Sequence, residues 1–163
     1  VNFLFNKKNN IEQWLDFGVD QTFRRYGIEV VDFIKDGFGD DIIDQLRNTL
    51  FSTMSEEHVN FFKDLELSFS SEKHLFVHAG IDPKKTLEDQ TKEDFLWSRS
   101  KSFFDKDFKA QKIIVHGHTP EENIINNPHR INIDTGCYFS GKLSSVCLSD
   151  YDDSRVFINN LSK

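Results

Sequence analysis

The sequence predicts a mixed α/β or α+β fold with a mixed sheet, on three observations. Helix-periodic segments fill the first half of the chain. Short β-branched runs bounded by turn residues fill the second half. One further helical segment lies between two of those runs, so helices and strands alternate. The expectation is one domain over residues 1–163, with 1–70 mostly helical and 71–163 mostly strands.

The elements follow in order. "NNIEQWLDFG" begins with Asn10 as a cap, carries Ile11, Trp14 and Leu15 on one face, and ends near Gly18. "DQTFRRYG" is a short helix stopped by Gly27. Asp40 and Asp41 suit the positive end of a longer helix in which Ile42, Ile43, Leu46 and Leu50 recur at helical spacing. "SEEHVNFFKDL" is another, capped by Ser55. "HLFVH", "KIIVH" and "RINID" read as strands, with a helix around "TKEDFLWSR" between the first two. A hairpin closes the chain, "KLSSVCLS" and "SRVFINN" joined by the acidic turn "DYDD".

Composition narrows the function. A chain of 163 residues with 17 Phe and 37% apolar content can bury a core. A net charge of −7 with no basic run excludes sequence-independent nucleic-acid binding, which needs Lys and Arg against phosphates. No apolar run nears the ~20 residues that span a bilayer, so no membrane partner is expected. Cys137 and Cys147 have neither zinc nor redox spacing, and the reduced cytoplasm is the default setting.

The chemistry gathers in "HLFVHAGIDP" and "KIIVHGHTP". Each is a buried-type strand, then His, then glycine within two residues, then proline. His78 and His118 thus fall where strands end and loops begin, the place where open α/β sheets bind ligands. An imidazole there is a metal ligand, a general base or a satisfied structural residue. Two in matched contexts favour function over structure. The spacing fits neither a zincin nor a zinc finger. "DFG" at Asp16 to Gly18 and "SSEK" at Ser70 to Lys73 lack the partner motifs that would give them kinase or β-lactamase meaning.

"LFVHAGIDP", "FLWSRSKSFF", "IIVHGHTP" and "RINIDTGCYFSGKLSSVCL" occur in the order and spacing of bacterial phosphoprotein phosphatases. The chain therefore resembles the calcineurin-like metallophosphoesterase superfamily, whose familiar member is the lambda-phage phosphatase. "WLDFGVDQTFRRYG" looks like a diverged form of the helical linker before these motifs, and the resemblance is weakest from Ile28 to Phe69. It implies a mixed β-sandwich flanked by helices. It also implies hydrolysis of serine or threonine phosphate monoesters by two divalent ions (Mn, Fe or Zn) bridged by a carboxylate. By position, His78 and His118 resemble ligands of the second metal, and Arg99 matches the arginine that grips phosphate oxygens. His116, Asp134 and Tyr138 are candidates for supporting the site without touching metal. His58, His74 and His129 match no role.

The departure is large. The superfamily's Asp-x-His, Gly-Asp-x-x-Asp-Arg-Gly and Gly-Asn-His-Glu motifs are absent from the sequence, and its only methionine is Met54. The chain thus reads as the C-terminal half of a phosphatase, inactive alone, binding at most one metal weakly. The expected partners are a phosphoprotein or phosphomonoester and a second copy of the chain, which would cover the surface left by the missing half. Two alternatives stand beside this reading. One is a nucleotide-pyrophosphate (diadenosine polyphosphate) hydrolase of the same superfamily, the other a non-catalytic metal-binding or interaction module.

Overall fold

The computed structural model describes residues 18–35, 39–149, 151 and 155–161. The chain forms two compact units, Val1–Leu65 and Glu66–Lys163. The expected helix from Asn10 and most of the acidic turn lie outside the described residues.

The first unit is helical. Helix α1 (Val19–Arg25) ends at Tyr26, and Gly27 takes φ +75°, a conformation open to glycine at no steric cost. A 3₁₀ turn (Val30–Asp32) leads toward α2 (Asp40–Thr53). Leu46 and Leu50, one turn apart, are buried with Phe23, Ile28, Val30 and Met54. Helix α3 (Glu56–Lys63) is capped as expected, the Ser55 hydroxyl accepting from the His58 amide.

The second unit holds a five-stranded sheet in the order β1-β2-β3-β5-β4 and a separate two-stranded sheet. β2 (His74–Val77), β3 (Ile113–His116) and β5 (Arg130–Asn132) are parallel neighbours, with Phe76 opposite Val115 and His116 opposite Asn132. β1 (Ser68–Ser70) and β4 (Ile125–Asn126) close the edges antiparallel. Ile114, Val115 and Ile131 are buried, and burial on both faces is why β3 reads as a continuous apolar run rather than an alternating one.

Helices α4 (Lys92–Trp97) and α5 (Lys101–Phe104) connect β2 to β3. Phe103 joins Leu75, Ile81 and Ile114 in the core of this unit. After β5 come the single-turn α6 (Cys137–Ser140) and the hairpin β6 (Lys142–Leu148) and β7 (Arg155–Leu161). The hairpin is paired from Lys142–Leu161 to Leu148–Arg155. The Thr135 hydroxyl ties the β5 exit to it, 2.7 Å from the Lys142 carbonyl and 2.6 Å from the Ser144 hydroxyl. The result is the expected mixed α/β class with a mixed sheet. No helix among the described residues is long and apolar enough to cross a membrane.

Candidate functional site

Parallel pairing of β2 with β3 brings the two histidine loops to one sheet edge. The Gly117 amide donates to the His78 carbonyl at 2.9 Å, continuing the ladder past the strand ends. The side chains meet as well: His78 Nε2 lies 3.1 Å from His118 Nδ1. Trp97, at the end of α4 and 56% exposed, sets its ring edge-on against His118 at 5.5 Å between centroids. Arg99 follows two residues later, exposed and close enough for its charge to act on His118.

His118 is held in an unusual conformation. Its φ is +66°, and the Thr119 amide bonds back across it to the Gly117 carbonyl at 2.8 Å. This is a γ-turn of the positive-φ kind, rare and strained for a side chain with a Cβ. Its surroundings explain how it persists. The Gly117 carbonyl is within 3.0 Å of His116 Nδ1, and the Asn132 amide donates to the Thr119 carbonyl at 2.8 Å. Asn132 in turn accepts from the Asp134 amide at 2.9 Å, and Asp134 accepts from the Gly136 amide at 2.9 Å. Asp134 packs beside Gly117, its Cβ 3.4 Å from where a side chain would begin.

The electrostatics keep the imidazoles neutral. Burial lowers the His78 pKa, and the negative charge of Asp134 opposes it only in part. His118 is lowered by burial, then by His78 and Arg99, again with Asp134 opposing. His116, 2% exposed, is pushed down to about 4, chiefly by burial. Neutral imidazole is the form that binds metal.

The residues present fit part of one metal shell. Two nitrogens sharing a tetrahedral ion at ~2.0–2.1 Å lie roughly 3.3 Å apart, close to the 3.1 Å observed. His118 Nε2 and Thr119 Oγ1 are buried without hydrogen-bond partners, an uncommon condition for buried polar atoms. Among the described residues no group of three or more His, Cys, Asp or Glu side chains could hold an ion. The fit is a pair of donors, not a complete cage.

The remaining candidates separate. His116 supports the turn from inside the core, and Asp134 both orders its loop and faces the pair with its charge. Tyr138 is 88% exposed on α6, with its ring against Phe139. His74 is buried beside the Ser71 hydroxyl, His129 donates to the Ala110 carbonyl, and His58 bonds Tyr26 in the helical unit. Sequence reasoning missed Asn132, Arg130 and Trp97. A polar residue inside a buried run, as in "RINID", is the signal that could have pointed to the first two.

No family model and no curated protein matches this chain. Its fold does match the crystal structure of a protein described as a proposed diadenosine tetraphosphatase, with TM-score 0.53 over 98% of this chain and 78% of that one. At 13% identity the likeness is one of fold. The chain shares the mixed α/β fold of that protein.

Proposed function

We propose that this chain carries one side of the active centre of a metal-dependent phosphoester hydrolase, with phosphoserine and phosphothreonine proteins as substrates. The observation that supports it most is the His78–His118 pair, two neutral imidazoles 3.1 Å apart at the ends of parallel strands. When bound there, a divalent ion supplies Lewis-acid polarisation of a phosphate ester. His78 and His118 would hold it, and Mn, Fe and Zn all suit imidazole. Arg99 presents a permanently charged, planar donor set that suits phosphate oxygens. The carboxylate of Asp134 adds negative charge facing both imidazoles, which favours a cation between them.

A second reading has its own support. A protein sharing this fold is described as a proposed diadenosine tetraphosphatase, and Trp97 offers an exposed aromatic ring beside His118. Stacking against a nucleobase is chemistry that such a ring performs well. The native gene product, assayed with Mn²⁺ on phosphoserine peptides and on diadenosine tetraphosphate, separates the two. Faster peptide turnover supports the first reading, and faster dinucleotide turnover replaces it with the second. Metal binding without turnover of either leaves a non-catalytic metal-binding module. For the chain by itself we expect no enzymatic rate, because two imidazoles leave most of an ion's shell to water. A manganese-dependent rate on p-nitrophenyl phosphate that vanishes in His118→Ala would contradict that expectation.

A further inference from the structure

Arg130 heads β5 and is 5% exposed, yet no carboxylate pairs with it among the described residues. Burying a guanidinium is costly, and the negative charge of Glu121 offsets that only in part, so partners in contact must hold it there. Two aromatic rings do so in part: its central carbon lies 5.6 Å from the Phe103 centroid and 5.2 Å from that of Phe104. The other partner is His116, whose Nε2 lies 3.3 Å from Arg130 Nη1.

That contact fixes a choice the imidazole would otherwise have. A guanidinium has only donors, so His116 Nε2 must accept. A neutral His116 then carries its proton on Nδ1, and Nδ1–H donates to the Gly117 carbonyl at 3.0 Å. The same carbonyl closes the strained turn by accepting from Thr119. With the opposite tautomer, two lone pairs would face each other at Nδ1 and Gly117, and two donors at Nε2 and Arg130. We propose that Arg130 is a positioning residue: through His116 it holds the turn that presents His118. As a role in metal binding, this rests on the reading of His118 as a ligand; as a statement about the turn, it does not.

The test compares Arg130→Gln with Arg130→Met in the 163-residue chain. Both remove the charge at similar volume, but only Gln keeps a donor for His116 Nε2. Long-range ¹H–¹⁵N correlation of the imidazoles should show His116 protonated on Nδ1 in the wild type and in Arg130→Gln. Arg130→Met should show a tautomer mixture together with displaced His118 ring resonances. Zn²⁺ affinity should weaken about 10–100-fold in Arg130→Met and only slightly in Arg130→Gln, the range seen when groups supporting a metal ligand are lost. A merely structural role would lower both variants' melting temperatures alike and leave the tautomer unchanged. If Arg130→Met does not fold, His116→Gln against His116→Leu serves, since Gln can both accept from Arg130 and donate to Gly117. Native His118 resonances in Arg130→Met, or equal His118 displacement in the two His116 variants, would overturn the proposal. A wild type that binds no Zn²⁺ while its tautomer responds as described would support the positioning role and remove the metal reading.

Discussion

At His118 the backbone and the side chain ask for different residues. A φ of +66° suits glycine, and the left-handed region costs other residues about 1–2 kcal/mol. The chain nonetheless places a histidine there, which fits the proposal that the imidazole is needed at that spot. We therefore expect His118→Gly to be more stable than His118→Ala by about 1–2 kcal/mol in urea unfolding, while neither binds Zn²⁺. Equal stabilities would show that the turn relaxes and stores no strain. The pair itself was legible in the sequence, because a histidine close to a glycine at the end of each of two strands, with a proline soon after, stands out. The devices that hold it were not. Arg130 and Asn132 look like ordinary strand residues until the register sets Asn132 opposite His116 and the fold lays Phe103 and Phe104 over Arg130.

The elements differ in how firmly local chemistry specifies them. Helix α4 spans only six residues but begins with a full capping box. The Thr91 hydroxyl accepts from the Asp94 amide, and the Asp94 carboxylate accepts from the Thr91 amide at 2.7 Å and from Lys85 at 2.6 Å. These contacts, the Lys85 hydrogen bond first, hold the Asp94 pKa below its ordinary 3.8. A carboxyl depressed by folding stabilises the native state above its unfolded pKa, and that gain disappears as pH falls through the folded value. Asp94→Asn should therefore be less stable than wild type at neutral pH, and the gap should close below about pH 3.8. A gap that persists or widens in acid would assign the effect to shape rather than charge. This helix was readable in advance, as was the β6–β7 hairpin. β1 and β4 were not, because a polar three-residue edge and a two-residue edge carry almost no periodic signal.

On the scale of the whole molecule, the proposed site is confined to the second unit, with every candidate residue between His78 and Tyr138. That unit also exposes apolar side chains on sheet elements. Phe69 on edge strand β1 is 66% exposed, and Leu143, Val156 and Ile158 are exposed on the β6–β7 hairpin. An open edge that pairs antiparallel to its neighbour can accept a second copy of itself across a two-fold axis. We propose self-association of the chain, and expect light scattering over a dilution series to give a dimer mass at micromolar concentration. A monomer mass throughout would reject it. The α/β class was legible because the period changes from helical to β-branched runs partway along the chain. The same change, placed at residue 70 from the sequence, falls close to the boundary between the two units at Leu65. The central claim is that His78 and His118 form one cation site. It is tested most directly by titrating Zn²⁺ into the chain while following the Cε1–H resonances of its six histidines. The account predicts that His78 and His118 respond together and saturably, with His58, His74 and His129 unchanged. Independent or absent responses of the pair, or binding centred on another histidine, would contradict it.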